Sequence, residues 1–233
     1  MERLSTYVDG LDEALSGGIP RGSVVLVAGT SGTYKTSLTF HLFYHNVKAG
    51  SKALFITLEE GAESLRAAME DLGMTGLDDI PLYILDVAKI RLEHKEEEMQ
   101  KDWIEILQKY ISQRVKQNRF DLVAVDSLSA LYALTAAQNP RRDLFHFFAF
   151  LRNLGATTFL ISEIPHDGAR LAPFDEDFLS DGVLLLRQHD RGDGDVQVRA
   201  RIVKMRRTHH PHDWLALTRQ KDRFAVAPLG KTG

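Results

Sequence analysis

The chain has 233 residues, 44% of them hydrophobic, enough to bury one substantial core, and reads as a single domain over residues 1–233. With 29 Lys and Arg against 32 Asp and Glu it carries a net charge of −3, which argues against a nucleic-acid partner held by overall charge, and the absence of cysteine excludes a disulfide framework, thiolate metal ligation and a cysteine nucleophile. No apolar run is long enough to cross a bilayer and the opening MERLSTYVDG lacks a signal-peptide layout, so the expectation is a soluble, cytoplasmic protein with no membrane partner.

In chain order, GSVVLVAG is a short apolar run closed by glycine, the pattern of a strand buried on both faces of a parallel sheet. From Lys35 the spacing turns helical, with Leu38, Leu42 and Phe43 on one side, and it stops at Gly50. KALFITLEE predicts a second strand and AESLRAAMEDLG a second helix. LYILD is a further short strand, followed by a helix from about Glu96 to Gln117 on the apolar spacing of Trp103, Ile106, Leu107, Tyr110, Ile111 and Val115. The charged run RLEHKEEEMQKD reads as a solvated loop and helix face. FDLVAVDS is a buried strand ending in an acid, and the next helix starts with Asn139 as N-cap and Pro140 in its first turn. TTFLISEI repeats the strand signal, and PHDGARLAPFDED reads as a mobile surface loop. The tail then changes to successive strands, DGVLLLRQ, VQVRARIVKMRR, DWLALTR and RFAVA, with the turn RGDGD among them. The predicted fold is therefore α/β, a mostly parallel central sheet with helices on both faces and antiparallel C-terminal strands at one edge.

GTSGTYKTS lies between a predicted strand and a predicted helix, where a phosphate-binding loop belongs. Such a loop needs converging backbone N–H donors, a cation and a hydroxyl for the magnesium ion that accompanies a triphosphate. Ser31, Gly32, Thr33, Tyr34, Lys35, Thr36 and Ser37 are the candidate ATP-binding residues: Lys35 for the β- and γ-phosphates, Thr36 for Mg²⁺, and the N–H groups from Gly32 to Ser37 for the cradle. Tyr34 stands where the pattern has glycine. If that position requires φ > 0, a side chain there costs about 1–2 kcal/mol. Asp126, at the end of LVAVD, is the carboxylate for the magnesium shell, with a helix N-cap as its plainer reading. Glu59 and Glu60 end the strand LFITLEE and are candidates to position water, or simply solvent-facing residues. In a parallel sheet the strand ends after Gly29, Glu59, Asp126 and Glu163 share the edge where ligands bind.

These blocks, from the lead-in VDGLDEALSGGIPRG through TLEE and LVAVDSLSAL to LSDGVLLLR and VKMRRTHHPHD, resemble in order the RecA-superfamily ATPases of the KaiC type. The resemblance implies ATP bound at the loop, Mg²⁺ held by Thr36 and Asp126, and water activation by Glu59 or Glu60. It further implies a hexameric ring in which Lys204 and Arg206 reach the γ-phosphate of the neighbouring subunit, with the loops after DSLSAL and SEIP facing a central channel. Taken by itself, KMRR reads as a basic edge strand that discourages aggregation. Where the family's clock protein has a Ser-Thr phosphoacceptor pair, this chain has Asp177 and Phe178, which argues against clock-style autophosphorylation; Ser180 is the nearby hydroxyl. Three rivals stand beside the ATPase reading. His209, His210 and His212 invite a metal site but read better as a polar turn near a neighbour's nucleotide. RARIVKMRR is locally basic and admits a DNA-binding, recombination-type ATPase. A nucleotide-gated interaction protein with an unknown protein partner and little hydrolysis is the third.

Overall fold

The computed structural model describes residues 1–87, 89–90, 103–134, 140–164, 171–192 and 194–230. Four predicted features therefore lie wholly or partly outside the described residues: the run RLEHKEEEMQKD with the start of its helix, the Asn139 cap, both loops assigned to a channel, and Asp193 of the RGDGD turn.

The strands are β1 (Arg3–Leu4), β2 (Val8–Asp9), β3 (Ile19–Pro20), β4 (Val24–Gly29), β5 (Ala53–Thr57), β6 (Leu82–Asp86), β7 (Leu122–Asp126), β8 (Thr157–Glu163), β9 (Gly182–Asp190), β10 (Val196–Met205), β11 (Leu215–Gln220) and β12 (Arg223–Pro228). The helices are α1 (Leu11–Ala14), α2 (Lys35–Lys48), α3 (Ala62–Asp71), α4 (Trp103–Asn118), α5 (Leu128–Leu134), α6 (Pro140–Asn153) and α7 (Glu176–Leu179). All strands but β1 and β3, which pair with each other, join one sheet in the order β2-β12-β11-β10-β9-β4-β8-β7-β5-β6. From β9 to β6 every pairing is parallel, and β9 to β12 run antiparallel to one another. The predicted sheet is the observed one.

Strand alternation divides the core into two apolar layers. Val25, Val27, Phe55, Phe159 and Leu184 face a layer with Phe40, Phe43 and Leu65 of α2 and α3. Val24, Leu26, Ile56, Val123 and Leu185 face the other, with Leu107, Ile111, Phe147 and Leu151 of α4 and α6. With helices on both faces, β4, β5 and β7 are buried along their whole length, the origin of their uninterrupted apolar sequence.

One expectation needs correcting. Of the stretch read as a mobile loop, residues 165–170 lie outside the described residues, but the remainder packs. Ala172 is buried, and Glu176 is fully buried, accepting hydrogen bonds from Tyr132 Oη and from the Phe174 N–H at 2.8 Å. Burial and the adjacent Glu176 carboxylate push the Tyr132 hydroxyl far above its ordinary value, so it stays a donor to that carboxylate.

Candidate nucleotide site

Register fixes which residues can meet. Gly29 pairs with Glu163, and Asp126 pairs with both Thr57 and Ile161, so the ends of β4, β8, β7 and β5 lie at one edge of the sheet. The loop after β4 turns at this edge into α2. Gly29 itself has no room for a side chain: a Cβ there would stand 2.7 Å from the Leu186 carbonyl oxygen and 2.6 Å from Thr33 Oγ1.

Inside the loop Gly32 has φ 73° and Tyr34 has φ 67°. The position where the phosphate-loop pattern has glycine does adopt the left-handed region, and its tyrosine carries a backbone cost of about 1–2 kcal/mol. Tyr34 caps α2, and the N–H groups of Lys35, Thr36 and Ser37 occupy the first helical turn, where a helix supplies no carbonyl partner. Thr33 Oγ1 and Lys35 Nζ both donate to the Thr30 carbonyl, at 2.7 and 3.0 Å, and Lys35 Nζ lies 3.7 Å from Glu163 Oε1. Thr30 Oγ1 is buried with no hydrogen-bond partner. From the β9 side Gln188 Nε2 donates to the Gly32 carbonyl at 3.3 Å.

Thr36 Oγ1 donates to Asp126 Oδ2 at 2.7 Å. Asp126 is 9% exposed, and burial pushes its carboxyl up to about 6; Glu59 and Glu60 act in the same direction, against the Thr36 hydrogen bond and the Lys35 charge. The next peptide, Asp126–Ser127, is cis, and Ser127 Oγ donates to Glu59 Oε1. Glu60 instead accepts from Ser64 Oγ of α3 at 2.6 Å. The two glutamates, equivalent in the sequence, thus have separate surroundings: Glu59 is tied to the residue that follows Asp126, Glu60 to the first helix turn beyond the strand.

Lys204 and Arg206 are not part of this cluster. Lys204 pairs with Val183, and Val183 with Leu26, so the strand body, not its loop end, lies alongside. Arg206 sits further back, its N–H donating to the Asp181 carbonyl beside the start of β4. Lys204 Nζ donates to the carbonyls of Asp177 and Ser180, at 2.9 and 2.7 Å. Arg206 Nη1 pairs with Asp181 Oδ1 at 2.9 Å. Burial first, and then the Arg206 charge, lower the Lys204 ammonium from its ordinary value. Ser180 is fully buried and its hydroxyl donates to the Asp177 carbonyl at 3.0 Å, which withdraws it from solvent.

Of the three histidines near the C-terminal turn, His209 accepts at its carbonyl from Ser16 Oγ at 2.7 Å, and the rings of His210 and His212 meet edge to face at 5.1 Å. Among the described residues no group of three or more His, Asp or Glu side chains is arranged to hold a metal ion. Nor, among them, is any helix long and apolar enough to cross a membrane. Glu163 reaches this edge with its strand end as expected, whereas the contacts of Ser127, Gln188 and Phe224 around the loop have no counterpart among the residues assigned from sequence. Ser127 follows the assigned acid directly; the other contacts depend on strand neighbours that a sequence does not specify.

Comparison with known proteins places these features in a family. A family model described as "ATPase: KaiC" matches residues 4–227. The circadian clock oscillator protein KaiC of Picosynechococcus sp. is 30% identical over 237 residues, covering 99% of this chain and 45% of that protein. KaiC 1 of Synechocystis sp. is 31% identical over 236 residues, with 99% and 45% covered. The chain thus spans about half the length of these curated relatives. The crystal structure of a KaiC-like protein from the hyperthermophile Pyrococcus horikoshii OT3 superposes with a TM-score of 0.83 at 25% identity, covering 97% of this chain and 99% of that one.

Proposed function

The chain belongs to the KaiC family of RecA-superfamily ATPases, and on that premise we propose that residues 1–233 form one domain that binds ATP with Mg²⁺ and hydrolyses it at subunit boundaries of a cytoplasmic homo-oligomeric ring. The observation that carries this reading is the 2.7 Å hydrogen bond from Thr36, in the first turn of α2, to the buried Asp126, whose carboxyl also feels the charges of Lys35 and Glu59.

A hydroxyl and a carboxylate are hard oxygen ligands of the type magnesium takes, so the residues fit the ion. Bound there by Thr36 and Asp126, magnesium would supply charge neutralisation at the phosphates. The remaining roles belong to the chain. Free first-turn N–H groups and Lys35 bind the phosphates. Glu59, oriented by Ser127, orients water and accepts its proton. Glu60, held by Ser64, supports the turn into α3. Lys204 and Arg206 lie too far back along the sheet to serve their own loop, which favours action on a neighbour's γ-phosphate, where a cation stabilises developing charge and makes turnover depend on assembly.

A second reading, a nucleotide-gated interaction protein with little turnover, is favoured by the strained backbone at Tyr34. ATP hydrolysis and oligomeric mass measured side by side decide between them. Steady turnover in a ring-sized species supports the ATPase; assembly on nucleotide without turnover, with turnover appearing in Tyr34→Gly, supports the gate. Lys35→Ala is expected to lose nucleotide binding by more than about 100-fold, and Glu59→Gln to keep binding and lose about 100-fold or more in turnover, with Glu60→Gln the milder of the two. Retained binding in Lys35→Ala, measured by calorimetry, overturns the site.

A further inference from the structure

Strand order gives the proposed site a direction. β7 and β5, which bring Asp126 and Glu59, lie on one side of β4, and β9 to β12 lie on the other. A triphosphate whose terminal phosphate points toward Thr36, Asp126 and Glu59 and which runs along the sheet edge away from them carries its nucleoside toward β9–β12. Two contacts tie the loop to that side: Gln188 of β9 to the Gly32 carbonyl, and Tyr34, whose ring meets Phe224 of β12 at 6.0 Å and 67°. Phe224 is 2% exposed and is itself edge-on to the buried ring of His41 at 5.2 Å, so the core fixes the support behind Tyr34.

Tyr34 nonetheless remains 38% exposed. A large ring is left in water beside a phosphate cradle, at a φ of 67° that glycine adopts without strain. Packing of the fold does not account for it, because the edge contact with Phe224 leaves ring surface open. An exposed aromatic face supported at its edge is a surface on which another π-system stacks.

We propose that Tyr34 is the nucleobase-binding residue of this site, its ring, propped by Phe224, stacking on the base of the bound nucleoside triphosphate. The proposal rests on the nucleotide-site reading above. Stacking on an aromatic side chain strengthens binding of a base by roughly 5- to 150-fold and tolerates any base, since each presents a π-face. Selectivity then follows ring size, purine before pyrimidine. The tyrosine that strains the loop also contributes binding at the far end of the ligand.

The test is a calorimetric titration of wild type, Tyr34→Leu and Tyr34→Phe with MgATP, MgCTP and magnesium tripolyphosphate, which has neither base nor sugar. Tyr34→Leu keeps the strained Cβ and removes the ring. The expected result is a Kd for MgATP raised about tenfold or more in Tyr34→Leu, a smaller change for MgCTP, and tripolyphosphate binding within about twofold of wild type. Tyr34→Phe keeps the wild-type pattern. Equal weakening of ATP and tripolyphosphate in Tyr34→Leu, or no weakening of either, overturns the stacking while leaving the phosphate site standing. A wild type that binds neither ligand overturns the phosphate site and the stacking with it.

Discussion

The two halves of the sheet treat burial in opposite ways. In β4, β5 and β7 every residue is buried, and polar chemistry is confined to the strand ends and the loops beyond them. In β10 the pattern alternates, and arginines and a lysine stand along the strand body. A strand covered on both faces has nowhere to put a charge except where it stops, whereas a strand with one open face can carry charge anywhere along its length. The parallel half therefore gathers Lys35, Thr36, Asp126 and Glu59 at one edge, while the antiparallel half presents Lys204 and Arg206 elsewhere.

The sharpest way to break this contrast is to remove one cation of the antiparallel half, Arg206. Arg206→Ala is expected to leave ATP binding to the phosphate loop and to lower turnover of the assembled protein by roughly 10³-fold. Mixing Arg206→Ala with Lys35→Ala subunits, each inactive alone, should restore turnover, because one supplies an intact loop and the other an intact arginine. Mixtures as inactive as the single variants would show that Arg206 does not act across subunits.

The parallel half is tested through its buried acid, with a smaller effect. The Asp126 carboxyl is raised from 3.8 to about 6. In that window the folded chain holds a proton that the unfolded chain has released, so stability falls as pH rises through it, by at most about 3 kcal/mol. Asp126→Asn should flatten this slope, and nucleotide-free protein should then be the more stable variant at pH 7.5 in urea denaturation while losing magnesium-dependent ATP binding. A destabilised Asp126→Asn would mean that the Thr36 hydrogen bond outweighs the burial. In wild type, magnesium-dependent binding should weaken as pH falls through about 6, where the carboxylate takes up its proton.

The smallest effect is expected far from both groups. Arg66 and Asp78 pair at 2.9 Å near the outer edge of the parallel half, with Asp78 91% exposed. Arg66→Ala should change the urea midpoint by the equivalent of no more than about 0.5 kcal/mol and leave turnover unaltered. A larger loss of turnover would mean that the chemistry of the parallel half extends beyond its strand ends.

The same contrast explains what a sequence reader can see. The apolar runs of β4, β5, β7 and β8, and the acid that closes β7, are legible because burial on two faces permits few other residues. The difference between Glu59 and Glu60 is not, since it depends on Ser127 arriving from β7 and Ser64 from the next helix turn. Glu176 lies in a stretch whose Pro, Gly and Asp content reads as a surface loop, and the partner that buries it, Tyr132, lies 44 residues away in sequence. Gln188 and Phe224 reach the phosphate loop only because β9 pairs with β4 and β12 lies beyond it, an order that strand patterns do not encode. Lys204 and Arg206 were assigned by resemblance alone, and the positions they occupy explain why no local pattern pointed to them.

Placement of the loop and of Arg206 at different ends of β4 has an arithmetic consequence. If one end must meet the other end of the next copy, the contact is head-to-tail rather than two-fold. An open stack of copies then always has one fewer complete site than it has members, with one unaided loop at one terminus and one idle arginine at the other. A closed circle has neither, so activity per chain should rise at the moment of closure, and a chain with one end unable to make the contact should act as a terminator that keeps the stack open.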